Sequence, residues 1–267
     1  MWRRFARGRI KLGLAALMAL AAGEAYAGAW TELAGQGQMI ATLYDWQGNG
    51  APWGGAASGR RETKAEAQVY LDYGAFDQLT LFGELSGEDY RLGAPDADAY
   101  GGLDYTTLGA RYQVFKNDPF VFSLEASALI PGARDASRPA QMGDTGAGAD
   151  VRALAGYSFT FGGLPAFLDA EFGYRFRTLG PPSEWHGDLT LGIKPTARLM
   201  LLAQCFNTLS AGAGAPNFPD WDESVVEVSA VYALDEVWSL QAGAFASVVA
   251  RNTNSELGVT VAVWRKF

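Results

Sequence analysis

Phe167-Leu-Asp-Ala-Glu-Phe-Gly-Tyr-Arg-Phe-Arg177 sorts its side chains into two sets. Asp169, Glu171, Arg175 and Arg177 fall on one parity; Leu168, Ala170, Phe172, Tyr174 and Phe176 fall on the other. Successive side chains of a strand point to opposite faces, so the stretch reads as a strand with one charged and one apolar face. A helix would scatter the same residues around its circumference. Alternation alone does not say whether the apolar face meets a protein core or lipid.

The same alternation recurs along the chain. It is legible over Gln36–Trp46, Lys64–Tyr73, Leu79–Ser86, Tyr105–Phe115, Phe120–Ile130, Asp150–Thr160, Glu184–Ile193, Ser224–Tyr232, Trp238–Val248 and Glu256–Phe267, and more faintly over Leu199–Thr208. With the opening stretch this makes about twelve strands, an even number, as single-chain bacterial barrels have. Short turns, such as the Asn-Asp-Pro of Lys116–Pro119, alternate with longer segments rich in Gly, Pro or acids: Gly48–Arg61, Gly87–Gly102, Pro131–Gly148 and Ala211–Trp221. That asymmetry predicts short periplasmic turns and long extracellular loops, with both termini periplasmic.

The two ends agree with export to a membrane. A basic run (Arg3, Arg4, Arg7, Arg9, Lys11), an apolar run Leu12–Ala22 and then Ala25-Tyr-Ala27 read as a secretory signal peptide over residues 1–27, with cleavage expected after Ala27. The apolar run is too short to span a bilayer. Residues 28–267 then form one outer-membrane β-barrel. Five of the 21 basic and one of the 29 acidic residues lie in 1–27, leaving 16 against 28 and a net charge of −12. Such a balance excludes nucleic acid as a partner. Cys205 stands alone, so no intrachain disulfide forms. The last strand ends in Phe267 and resembles the C-terminal targeting signal of outer-membrane barrels, which implies the barrel-assembly machinery as a partner; Arg265 departs from that signal by sitting on the apolar face.

A soluble β-sandwich alternates as well. Against it stand strand lengths near the ~9–11 residues that cross a bilayer with tilt, and a polar face carrying acids and Arg. Hydrocarbon tolerates no open sheet edge, so the last strand is expected to pair with the first. The expected fold is therefore an all-β transmembrane antiparallel barrel embedded in outer-membrane lipid.

Several blocks resemble those of the XagA-like outer-membrane proteins: Gly28-Ala-Trp-Thr, Gly35-Gln-Gly-Gln, Lys64-Ala-Glu66, Tyr70-Leu-Asp-Tyr-Gly74, the 167–177 stretch, Asp188-Leu-Thr-Leu-Gly192 and Lys194-Pro195. The blocks are scattered over most of the exported part. More loosely, the chain is similar to a barrel family linked with phenol-degradation pathways. The first resemblance implies an exopolysaccharide or biofilm pathway in a Gram-negative envelope, with polysaccharide machinery as partner. The second implies uptake of small aromatic compounds. Neither brings a catalytic residue set.

His186 is the only histidine, and Asp188 stands two residues on. Side chains at that spacing sit ~6.5–7 Å apart, too far for direct general-base coupling, so no enzyme is expected. No Cys/His spacing suits a metal, Asp96-Ala-Asp98 makes at most a weak calcium site, and the Gly-rich loops lack the Lys and helix of a phosphate cradle. No cofactor is expected. The informative residues are those with inward parity. Asp150, Arg152, Asp169, Glu171, Arg175, Arg177, Glu184, His186 and Asp188 form a charged wall, with Arg177 expected near both Asp150 and Glu184. Tyr44, Trp46, Tyr70, Phe82, Phe245 and Trp264 form an aromatic wall on strands that become neighbours only on closure. Aromatic faces opposite hydrogen-bonding groups suit a saccharide conduit. Passage of small aromatic or apolar compounds, and a closed structural barrel of an envelope complex, remain the alternatives.

Overall fold

The computed structural model describes residues 28–49, 61–94, 97–132, 137–140, 146–215 and 218–267. The signal-peptide reading of 1–27, most of the Gly48–Arg61 loop, half of the Pro131–Gly148 loop, and Asp96 lie outside the described residues. Strands β1 (Gly37–Asn49), β2 (Arg61–Phe76), β3 (Leu79–Leu92), β4 (Asp98–Asn117), β5 (Phe120–Ile130) and β6 (Gly148–Phe161) make the first half. The second half is β7 (Leu164–Arg177), β8 (Glu184–Ile193), β9 (Leu199–Ser210), β10 (Asp222–Ala233), β11 (Trp238–Arg251) and β12 (Glu256–Lys266). Each pairs antiparallel with its sequence neighbours, and β1 pairs with β12 to close the barrel.

Closure follows from the ends of the chain. Gln38 faces Lys266 and Gly48 faces Glu256 across the seam, and Gly37 and Phe267 exchange both backbone hydrogen bonds at 2.9 Å. Among the described residues no strand edge is left unpaired, which is what hydrocarbon demands.

The outer face carries the apolar parity. Leu43, Leu81, Leu108, Leu124, Phe172, Val228 and Val261 are all exposed on it. A continuous apolar band of this extent is tolerated where lipid covers it. Aromatic contacts mark its two rims. Tyr157 meets Phe120 and Phe159 at the short-turn end, and Trp185 meets Phe172 and Tyr174 near the other. Arg265, the charge on the apolar face of the last strand, lays its guanidinium 5.6 Å from the centre of the Trp238 ring, so its cation meets an aromatic face at the periplasmic rim.

One expectation from the sequence needs correcting, and one faint strand is borne out. The acidic Gly87–Gly102 loop shrinks to residues 93–97, because β3 and β4 continue through it. Above the bilayer the outer face is in water, so Asp89 and Arg91 replace apolar residues there and hide the alternation. Glu88 and Tyr90 keep the inward parity: Glu88 binds Lys64 at 3.0 Å, and the Tyr90 hydroxyl donates to Glu62 at 2.7 Å. The faint strand Leu199–Thr208 is a full strand to Ser210. Its inward Met200 and Leu202 are apolar because they pack inside the barrel, which blurs the pattern.

Candidate functional site

The lumen is not empty at its periplasmic end. Residues 28–36, ahead of β1, turn into it and are fastened to several strands. The Ala29 N–H donates to Asp169 Oδ1 at 2.8 Å, and its carbonyl accepts from the Ser123 hydroxyl. Arg111 Nη1 donates to the Trp30 carbonyl at 3.3 Å, and the Glu32 N–H donates to Thr80 Oγ1 at 2.8 Å. The base is tied by Ala34 N–H to Asp77 Oδ1 at 3.0 Å and by Gly35 N–H to the Gly74 carbonyl at 2.8 Å. Burial pushes the Glu32 carboxyl up from its ordinary range, against the pull of Lys266 and Arg111.

Trp30 anchors this segment. Its ring meets Phe167 edge to face and joins Val121, Leu154, Met200, Leu202, Val231, Ala262 and Trp264 in one buried cluster. These residues come from β5, β6, β7, β9, β10 and β12, so a small apolar core sits inside the barrel. In a narrow barrel side chains fill the interior, and here the chain's own N-terminal segment helps to fill it.

Above that core the charged wall is organised around Arg152. Its Nε lies 3.1 Å from Asp150 Oδ1, and its Nη1 lies 3.1 Å from Glu171 Oε2 and 2.8 Å from Asp188 Oδ2. Arg152 on β6 reaches Asp188 on β8 across Gly173 of β7; a Cβ at Gly173 would lie 2.5 Å from Arg152 Cγ. Only glycine leaves that path clear. Asp150 takes a second cation from Arg175 at 3.1 Å, so Arg152 and Arg175 occupy the place expected for Arg177. Arg177 pairs with Glu184 at 2.7 Å and with the Tyr105 hydroxyl. His186 Nε2 sits 3.2 Å from Glu184 Oε2, and its Nδ1 is 3.4 Å from Thr208 Oγ1. Asp188 is engaged by Arg152 and by the Asn207 N–H rather than by His186. Asp169 is buried against the N-terminal segment and meets this network only through Glu171.

The six aromatic residues do not make one continuous surface. Tyr44 meets Phe245 at 6.2 Å, Tyr70 stacks with Phe82 at 6.1 Å, and Trp46 meets Tyr90 at 6.1 Å. Trp264 donates from Nε1 to Gln241 at 2.9 Å and belongs to the lower apolar core. Closure does bring β12, β1 and β2 side by side, with Trp264 opposite Ile40 and Ile40 opposite Tyr70.

A cavity of about 640 Å³ occupies the lumen. Its walls differ in kind. Ile40, Met200, Leu202, Phe206, Val225, Phe245 and Trp264 line it from β9 to β12 and β1, interspersed there with Gln204, Glu227, Gln241, Glu256 and Thr260; Lys64, Glu66, Glu84, Arg111, Arg152, Glu171 and Asp188 line it from β2 to β8. Tyr44 and Trp46 line it too, and Gly28 of the N-terminal segment reaches it. Phe206 is 38% exposed within this space, an apolar ring on the lumen face.

Sequence reasoning missed the N-terminal segment, the pairing of Arg111 with Glu125 at 2.9 Å, and the apolar residues of the lumen. The available signal was Phe167, Met200, Leu202 and Phe206: apolar residues on the parity that elsewhere carries charge. Among the described residues no group of three or more His, Cys, Asp or Glu is arranged to hold a metal ion. Asp98 is bound instead by Arg138 and by the Ala140 N–H.

No family model matches the chain. No curated protein matches it either. Solved structures do. The chain is similar to an outer-membrane channel from Pseudomonas putida F1, with a TM-score of 0.75 at 15% identity over 91% of this chain and all of that one. It is similar to the NanC porin, with a TM-score of 0.55 at 6% identity, and to the KdgM porin, with 0.54 at 9%; each match covers 85% of this chain, and 100% and 99% of those chains. Identities this low speak for the fold, and the chain folds as a closed, twelve-stranded β-barrel of the bacterial outer membrane.

Proposed function

We propose that this barrel is a channel for small amphipathic molecules, meaning an aromatic or aliphatic body that carries one polar or cationic group. The two-sided cavity carries this reading. In a water-filled hydrophilic pore, Phe206 and Val225 would leave apolar surface wet for no gain. An apolar guest covering them gains about 25 cal/mol per Å², while the carboxylate-rich side across the cavity holds its polar end. Ligand sites are commonly apolar clefts with a few placed polar groups. The N-terminal segment and the core around Trp30 stand below the cavity, so exit to the periplasm runs past that segment.

A saccharide conduit is the second reading. It is favoured by Tyr44 and Trp46 beside Glu66 and Lys64 in the upper lumen, and by the resemblance to polysaccharide-associated barrels. The KdgM porin has been solved with oligogalacturonate. The contact of each ring with another aromatic residue weakens it, because each is held partly by its neighbour.

Titration calorimetry of the purified barrel with 4-hexylphenol, hexylamine and maltohexaose separates the two. Saturable binding of the alkyl compounds, with maltohexaose silent, is expected. Binding of maltohexaose alone reverses the order of the readings.

A further inference from the structure

Asp169 poses a problem of charge. It is 2% exposed and accepts a hydrogen bond from the Ala29 N–H. Its side chain also contacts the carboxyl of Glu171. Two carboxyls in contact repel unless they share a proton or something positive lies beside them. Arg152, the cation on Glu171, is shared with Asp150 and Asp188. Arg111 is taken by Glu125 and the Trp30 carbonyl. Among the described residues no Lys or Arg forms an ion pair with Asp169 itself.

What does touch Asp169 is Gly28. A Cβ at Gly28 would stand 2.4 Å from Asp169 Cγ and 2.4 and 2.5 Å from its two oxygens. The backbone there has φ of +111°, a conformation that side-chain-bearing residues rarely adopt. In a chain that begins at Gly28 no φ exists there, so glycine is required for space. Gly28 also directly follows Ala25-Tyr-Ala27, the stretch with the small residues that a signal peptidase reads.

We infer that cleavage after Ala27 creates the missing counter-charge: the free α-ammonium of Gly28 pairs with the Asp169 carboxylate and latches residues 28–36 into the lumen. The amide nitrogen of an uncleaved chain bears no charge and offers no such pair. Seating of the segment is thereby coupled to processing, and the length of the mature chain is set to the residue. A chain starting one residue earlier carries its ammonium away from Asp169. A chain starting one residue later loses the glycine that fits. This inference does not rest on which molecule the channel passes.

Intact mass of the purified protein comes first, and a mature chain that begins at a residue other than Gly28 overturns the inference. The second readout is acetylation of the α-amine at neutral pH in folded and urea-unfolded protein. An ion-paired ammonium is harder to deprotonate, and one pKa unit corresponds to about tenfold slower reaction. The folded parent should react at least about tenfold more slowly than unfolded protein, and Asp169→Asn, which keeps the shape and an acceptor for Ala29, should lose most of that protection. An α-amine that reacts equally fast in folded and unfolded parent contradicts the latch, whether or not the variant inserts. Unchanged protection in a folded Asp169→Asn barrel contradicts it as well, because burial alone then shields the amine.

Discussion

Trp30 and Phe167 stand edge to face, ring centroids 5.8 Å apart and planes at 84°, although one precedes the first strand and the other lies near the start of the seventh. Phe167 is apolar on the lumen side of a strand whose inward positions are otherwise charged or glycine from Asp169 to Arg177. The contact explains both anomalies together. It also makes the interior of this barrel a composite of wall and tail, with the tail a separable part.

Trp30→Ala should therefore loosen the tail without opening the barrel. Truncating a buried aromatic residue typically costs about 3–5 kcal/mol; here the loss falls on docking of residues 28–36, since the wall retains its full ladder of strand pairing. Single-channel conductance in planar bilayers is expected to rise, with longer open times, while the heat-resistant gel mobility of the folded barrel persists. A folded variant with parental conductance means that the tail does not limit flow.

Arg152 holds three carboxylates, so Arg152→Gln should leave them repelling one another. Breaking a buried ion pair costs about 3–5 kcal/mol and an exposed one under about 1. The wet lumen places this network between the two, at about 2 kcal/mol. The urea midpoint should fall accordingly, and adding Glu171→Gln should restore part of it. A single variant as stable as the parent shows that water screens the cluster.

Inward-facing acids outnumber inward-facing bases. Glu66, Glu84, Glu125, Asp169 and Glu227 add to the cluster around Arg152, with Lys64, Arg111, Arg175 and Arg177 as the other cations. A lumen rich in carboxylates favours cations, and salt screens that preference. Reversal potentials in a KCl gradient should show cation selectivity that fades as ionic strength rises. Anion selectivity would mean that Arg152, Arg175 and Arg177 command the narrowest point.

Phe267 pairs with Gly37 at the seam where β12 meets β1. Its ring also lies against Gly37, within 2.7 Å of where a Cβ would stand. Deleting Phe267 is expected to lower the amount of barrel in the outer membrane, and the molecules that do insert should conduct as the parent does. Normal levels at low expression would remove Phe267 from the assembly signal and leave it as a seam residue alone.

Much of the fold was legible because lipid and lumen impose opposite demands on successive residues. Leu168, Ala170 and Phe172 against Asp169 and Glu171 state that contrast directly. It faded wherever one demand lapsed. Above the bilayer, Asp89 and Arg91 face water on the outside, so β3 looked like loop. Inside, Met200 and Leu202 face a core instead of water, so β9 looked weak. Inward parity named the charged residues, but partner choice depends on reach across strands. Arg152 crossing over Gly173 to Asp188 cannot be seen in a pattern of alternation. The N-terminal segment was illegible for a related reason: its nine residues form no strand, and its apolar anchor meets a wall far along the chain.

The apolar side of the cavity offers the most direct measurement of what the lumen is for. Phe206 and Val225 face each other on β9 and β10 and line the cavity without supporting the tail. In a Phe206→Ser, Val225→Ser barrel, calorimetric affinity for 4-hexylphenol should fall about tenfold or more, the equivalent of about 1.4 kcal/mol of lost apolar contact, with folding and ion conductance preserved. Undiminished affinity in the folded double variant would contradict an amphipathic site in this cavity.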